Sequence, residues 1–437
     1  MDQSKRLLEE QELMVGQAPG WTGKFFAAFP AFKHHNYRLF FAGQFTSLIG
    51  TWMQLVALGW LVLELTNSAF WVSFANGLLD LPILLFSLPA GILADRLERK
   101  RIIIAAQIIS MFIAFIFAAL TQFHFASLFL ILLLSFLLGI MHAVEMPTRQ
   151  SFIFDVVGKK DITSAIALNV GMFNSARVIG PAIAGATIAL FNLPIAFFLN
   201  GISFLAVIFA LLKMKTKKIT IEVNHAHPFT QLREGIHFAA THRLIGTLLL
   251  VLGFNSLVPW AYSSLMPVVA RDVFHTNSVG FGLLLSAGGA GALFAAIFVS
   301  INASKVHVAK AITAGLFTAA IALFIFSYTT NFFLGFLLLF VLGFCLLMQV
   351  SLINSTIQRA TPDHIRGRVM SLYSLMFLGL MPIGSIAIGI LASMAGPQIA
   401  LRIFSTITFS GALFYFFILR KRLMQSTEQI PSFLHHL

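Results

Sequence analysis

The sequence holds one cysteine in 437 residues, and Asp, Glu, Lys and Arg together make up only 10% of it, with 16 acids among them. A lone thiol, Cys345, inside an apolar run rules out an intrachain disulfide and leaves no thiol cluster for a metal. The scarcity of charge excludes water as the main solvent: 58% of residues are hydrophobic and the mean hydropathy is +0.89, outside the range of soluble globular domains. No Gly-rich loop ending in Gly-Lys-Ser/Thr is present, which argues against direct drive by ATP. No nucleophile, base or metal constellation marks an enzyme. His225 and His227 form a pair without Cys or carboxylate neighbours, a poor metal site, so neither metal nor cofactor is expected.

What the chain does have is a succession of apolar runs of about 20 residues, the length at which a helix crosses the hydrocarbon of a bilayer. The runs fall at 39–63, 70–94, 102–120, 128–146, 164–190 and 194–212, and then at 244–269, 279–301, 308–328, 332–355, 369–392 and 399–419. The expected organisation is a polar N-terminal segment (1–38), a first six-helix bundle (39–212), a linker (213–243), a second six-helix bundle (244–419) and a polar tail (420–437). The first 37 residues lack the apolar core and small-residue cleavage site of a secretory signal, so they are expected to stay attached.

The formal charge of +13 has the sign that nucleic acid would attract, but the bases sit beside apolar spans, and no nucleic-acid partner is expected. They fall on one side of the assigned spans: Lys33 and Arg38, Arg96 to Arg101, Lys159 and Lys160, Lys213 to Lys218, Lys305 and Lys310, Arg359 to Arg368, and Arg420 to Arg422. The opposite loops hold only Arg271. Basic residues favour the cytoplasmic side, so both termini are expected there, as an even number of crossings requires. The linker, basic at its start and weakly amphipathic from 229 to 240, is expected to lie along the inner membrane surface.

The chain also repeats itself. Met172-Phe173, Ile179-Gly180 and Gly185 recur, each 204 residues further on, as Met376-Phe377, Ile383-Gly384 and Gly389. Thr66-Asn67-Ser68 recurs 210 residues on as Thr276-Asn277-Ser278. Two echoes at offsets near half the chain imply duplicated halves of the same orientation, a design that rocks about a site between them.

The connection after the second span reads Gly91-Ile92-Leu93-Ala94-Asp95-Arg96-Leu97-Glu98-Arg99-Lys100-Arg101. It resembles the cytoplasmic signature of the major facilitator superfamily, Gly-x-Leu-Ala-Asp-Arg-x-Gly-Arg-Lys, with Glu98 where glycine is usual. That variant looks like the branch containing the enterobactin exporter and macrolide-efflux proteins. Asn36-Tyr37-Arg38-Leu39-Phe40 before the first span adds to the likeness, and Arg177-Val178-Ile179-Gly180-Pro181 with Gly185 is similar to the superfamily's antiporter motif. The resemblance, running from about Asn36 to Leu419, implies an all-α integral membrane protein of the major facilitator fold in a bacterial inner membrane. It assigns gating to Gly91, Asp95, Arg96, Arg99, Lys100 and Arg101, and to Gly180, Pro181 and Gly185. Physically, the first set can be simple topological anchoring and the second plain helix packing. The superfamily's arginine motif in the fourth helix, tied to proton antiport, is missing.

Polar groups within the spans are the candidate site, because charge at mid-membrane is costly unless water or a solute reaches it. Asp80 lies near the middle of the second span, on a polar stripe with Ser73, Asn76 and Ser87. It is the first candidate for proton coupling, against an acid satisfied in helix packing. Arg177, mid-way along the fifth, cannot be neutralised; it could pair with Asp80 or meet an anionic group of the cargo. His142, Glu145 and Arg149 share a face of the fourth span, making Glu145 the second proton candidate, against an ordinary ion pair. Gln44, Ser47, Thr51 and Gln54, with Asn255, Trp260 and Asn354, could line a mixed polar cavity or glue helices together.

The expected function is export of a small organic molecule, a siderophore or drug-like amphiphile, by alternating access with the proton gradient as energy source. Membrane lipids and the substrate are the expected partners of a monomer. A lipid or lysophospholipid carrier and a proton-symporting importer are the alternatives, with a receptor or enzyme behind them.

Overall fold

The computed structural model describes residues 29–214, 228–302 and 306–419. Among them there is no β-strand. The long helices of the first half are α1 (His35–Thr66), α2 (Ala69–Arg96), α3 (Arg99–Gln122), α4 (Leu128–Leu190) and α5 (Leu193–Lys213). A short amphipathic helix, α6 (Pro228–Thr241), leads into the second half. There α7 spans Arg243–Val273, α8 Ser278–Asn302, α9 Val308–Phe326, α10 Phe332–Ala360, α11 Ile365–Ala395 and α12 Pro397–Phe417.

At 63 residues α4 would be roughly 95 Å long if straight, three times the hydrocarbon thickness. It turns back at Gly158, where φ is 70° and ψ is 179°. A Cβ there would meet nothing within 4 Å, so glycine is required by the positive φ and not by crowding. Its arms are the fourth and fifth crossings, and with them the chain crosses the membrane twelve times.

Contacts define two faces. On the basic face His34 meets Asp161 at 2.7 Å, Arg99 meets Asp155, and Lys100 donates to the Met214 carbonyl at 2.7 Å. The start of α1, the start of α3, the corner of α4 and the end of α5 therefore lie together. On the opposite face the ends of α1 and α3 and the start of α5 enclose a cavity of about 640 Å3, lined in part by Glu64, Thr121, Gln122 and His124.

The echoed glycines make equivalent contacts in the two halves. A Cβ on Gly180 would press on Ile49 and Trp52 of α1, and one on Gly384 on Leu257 of α7, the first helix of each half. Gly185 packs against Ser278 and Val279 of α8, and Gly389 against Ser73 of α2, the second helix of the opposite half. The segments before the halves also correspond. The turn Pro30–Lys33 docks on the second arm of α4, where Ser164 Oγ accepts from the Ala31 amide at 3.3 Å. Helix α6 docks on α11, with Glu234 paired to Arg368 and a Cβ on Gly235 falling 2.9 Å from the Arg368 carbonyl oxygen.

Lipid tails are as apolar as leucine, so hydrophobicity does not drive helices together here; small residues let backbones approach closely. The halves touch through such residues. Ser278 Oγ donates to the Gly185 carbonyl at 3.2 Å and Ser286 Oγ to the Val178 carbonyl at 2.7 Å, while a Cβ on Gly289 would lie 2.7 Å from the Arg177 carbonyl oxygen. Across the other seam, Gly77 lies against Pro382 and Ile386, and Gly379 against Leu84. Arg271 Nη1 donates to Asn67 Oδ1 at 2.7 Å where the opposite face closes.

Towards the basic face these contacts stop. The face of α4 that carries Gly185, Pro181 and Arg177 continues through Phe173, Val170 and Ile166, all exposed; the facing stripe of α8 continues through Ile297 and Ile301, exposed too. A Cβ on Gly171 or on Gly367 would meet nothing within 4 Å. The halves are thus joined near the opposite face and splayed at the basic face, with a cleft between them.

Gly289→Val is expected to destabilise the protein by about 1–3 kcal/mol through overpacking against the α4 backbone. Gly171→Ala, in open space on a helix, should be neutral or stabilising by up to about 1 kcal/mol. Thermal unfolding of both variants in one detergent checks the pair; equal midpoints would refute the packing account.

Candidate transport site

The residues proposed from sequence separate into two groups. Gln44, Ser47, Gln54 and Asn255 are buried within their own halves. Gly43 and Gly50 bring α1 onto α5, and Gln54 Oε1 accepts from Asn200 Nδ2 of α5. Ser47 Oγ donates to Gln107 Oε1 of α3 at 3.4 Å, and Asn255 Nδ2 to Gln349 Oε1 of α10 at 3.1 Å. Thr51, Asn76 and Asn354 are half-buried, with local partners: Thr51 donates to the Ser47 carbonyl, Asn76 to the Val72 carbonyl, and Asn354 accepts from Gln358.

The second group meets at the blind end of the cleft. Ser73, Gly77 and Leu84 of α2 face α11, and Asp80, three residues beyond Gly77 and four before Leu84, shares that face. It is half-buried, and no ion pair or hydrogen bond joins it to another described residue. The stretch of α11 opposite, Leu375–Gly379, is a π-helical turn followed by Pro382. Such turns cluster at functional sites, because they loosen a helix at one point.

Arg177 lies at similar depth, roughly 20 Å from the end of α4 at the opposite face. It does not pair with Asp80. Its Cζ is 5.6 Å from the centroid of the Trp52 ring of α1 and 4.9 Å from that of Trp260 in the other half. Trp260 is 6% exposed, and its Nε1–H has no acceptor among the described residues. The same ring packs edge-on against Phe377 in the π-helical turn, at 6.1 Å, and Phe173 packs against Trp52 at 5.7 Å. A guanidinium between two aromatic faces is a cation–π arrangement, favourable by about 2 kcal/mol or more where water is excluded. Helix α7 leaves α-geometry here, forming a 3-10 turn at Pro259–Leu265 that sets Trp260 beside Arg177.

Nearer the basic face, Glu145 and Arg149 of the first α4 arm form an ion pair at 3.4 Å with both side chains largely buried. Glu145 is therefore already matched, unlike Asp80. Glu64 accepts from Trp60 Nε1 at 2.6 Å at the far end of α1.

Of the residues assigned to gating, Gly91, Asp95 and Arg96 lie where side chains fall outside the described residues; so does the His225/His227 pair. Arg99 Nη1 donates to both oxygens of Asp155, at 2.7 and 2.9 Å, and Lys100 holds Met214. Arg101 pairs with Glu98 at 2.7 Å near the surface. Sequence reasoning missed Asp155 and Asp161, because nothing local marks a carboxylate whose partner is 56 or 127 residues away. Trp52 was also missed; a tryptophan within the Thr51 to Gln54 polar stretch was the available signal. Gly180, Pro181 and Gly185 lie on the second α4 arm, where Gly180 meets α1 and the other two meet α8.

Twelve crossings in two equivalent bundles around a charged cleft define a multi-pass transporter of the major facilitator type, not an enzyme. The chain belongs to the family described as transmembrane secretion effectors, whose model matches residues 26–436. It is similar to the staphyloferrin A transporter of Staphylococcus aureus, 27% identical over 397 residues, covering 90% of this chain and 98% of that one. Macrolide efflux protein A of Streptococcus pyogenes is 22% identical over 372 residues, covering 83% and 92%. An enterobactin exporter of Escherichia coli is 24% identical over 365 residues, covering 83% and 87%. Among solved structures, a POT family transporter with 5-aminolevulinic acid superposes with a TM-score of 0.70 at 14% identity, covering 89% of this chain and 97% of that one, a likeness of fold alone.

Breaking the Arg99–Asp155 pair by Asp155→Asn is expected to cost about 1–3 kcal/mol, since charge-assisted bonds to a largely buried guanidinium are lost. The double variant Arg99→Gln/Asp155→Asn should recover part of it. A thermal double-mutant cycle with no coupling between the positions would show that the pair is not a structural tie.

Proposed function

We propose that the protein is a proton-driven exporter of a small organic molecule of siderophore or drug-like amphiphile type. In this reading it sits in a bacterial inner membrane as a monomer, with its basic face to the cytoplasm. Cargo enters the cleft from that face, the halves rock about the glycine seams, and cargo leaves from the other side as protons enter. The named activities of the relatives and the inside bias of basic residues support the direction. The observation that carries the reading is the cleft itself: it opens to the basic face and ends on a carboxylate and a guanidinium that have no ion-pair partner among the described residues.

Asp80 is the proton carrier in this scheme. It faces the moving seam with no ion-pair partner, so gaining or losing a proton changes what the seam must hold. Charge is tolerated there while water fills the cleft, and neutralising Asp80 allows the halves to close over it. Glu145, held by Arg149, is the secondary candidate.

In vesicles with an imposed pH gradient, Asp80→Asn is expected to abolish uphill transport of siderophore and dye probes while leaving downhill counterflow intact. Glu145→Gln should retain gradient-driven transport at reduced rate. Undiminished uphill transport by Asp80→Asn would remove Asp80 from the scheme.

A further inference from the structure

Arg177 is placed where an arginine has little reason to be unless something is brought to it. It carries five N–H donors and a charge that cannot be discharged in a protein. None of those donors has an acceptor among the described residues, and no acid is paired with it. Trp52 and Trp260 offer it ring faces, which attract its charge but accept none of its N–H bonds in the plane of the guanidinium. Beside it the Trp260 Nε1–H, on a residue 6% exposed, is a second donor with nothing to donate to. Two donor groups therefore gather at one point, framed by aromatic surface, at the end of the cleft between the halves.

We infer that this cluster is the receptor for a carboxylate carried by an aromatic or otherwise apolar cargo. A planar carboxylate matches the guanidinium edge with two parallel hydrogen bonds, and the apolar body of the cargo meets the indoles and Phe377. The inference deepens the exporter reading and rests on it for the word cargo. Recognition of the anion itself requires neither direction nor proton coupling. It also gives the cargo a mechanical effect. Arg177 belongs to the first half, Trp260 to the second, and Trp260 touches the π-helical turn of α11. An anion that draws the guanidinium away from Trp260 loosens a contact between the halves at the seam.

The test uses the full-length purified chain in detergent and equilibrium dialysis of 1-naphthoate and its neutral analogue 1-naphthamide, with empty-micelle uptake subtracted. Saturable binding of naphthoate in preference to naphthamide is expected. Arg177→Gln should weaken naphthoate about tenfold or more and leave naphthamide unchanged. Arg177→Lys, which keeps the charge without the fork, should fall between. Trp260→Phe, which keeps an aromatic face but removes the donor, should weaken naphthoate a few-fold. Equal binding of the two probes, or unchanged naphthoate affinity in both Arg177 variants, overturns the inference. Displacement of naphthoate by phosphatidate but by no soluble carboxylate assigns the cluster to a lipid headgroup and overturns it too. Failure of gradient-driven transport with carboxylate binding intact would count against the exporter reading alone.

Discussion

Everything in this molecule depends on how closely helix backbones approach across the seam between the halves. In oil the helices gain nothing by hiding leucine from leucine, and association falls to contacts that only small residues permit. The carbonyls of Arg177, Val178, Pro181 and Gly185 lie against Gly289, Ser286, Gly282 and Ser278, a ladder with no room for larger side chains. Gly77 and Gly389 do the same on the other seam. These ladders occupy the part of each helix farther from the basic face, so the nearer part can stand apart, and the cleft follows.

The charged site is a consequence of that geometry. A guanidinium and a carboxylate at mid-membrane are costly in hydrocarbon, and both lie towards the cleft, where they are only half-buried. Their separation is equally informative. A direct pair would have neutralised both and left little for a proton or cargo to change; instead the guanidinium is matched to aromatic faces and the carboxylate faces a helix with a π-helical turn.

Much of this could be read from the amino-acid order. Twelve apolar runs of bilayer length are an unambiguous signal, and the two echoes revealed the duplication because the glycines in them make the same contacts in each half. Spacing groups residues on helix faces, but it does not say which neighbour a face meets. Gln44, Ser47 and Gln54 share a face as expected, and that face turns to α3 and α5 within the first half. Arg99 also holds Asp155, a carboxylate that the return of α4 brings to it and that no local spacing marks. The meeting of Arg177 with Trp52 and Trp260 joins three segments from two halves, and local spacing, which marks each of them separately, does not show that they meet.

At the corner the fourth and fifth crossings are two helices joined through one non-helical residue, Gly158, with no long loop between them. One arm carries Glu145 and Arg149 and leans on α2, the helix of Asp80; the other carries Arg177 and forms the seam with α8. The arm that carries Glu145 and Arg149 and the arm that carries Arg177 therefore meet at one glycine corner.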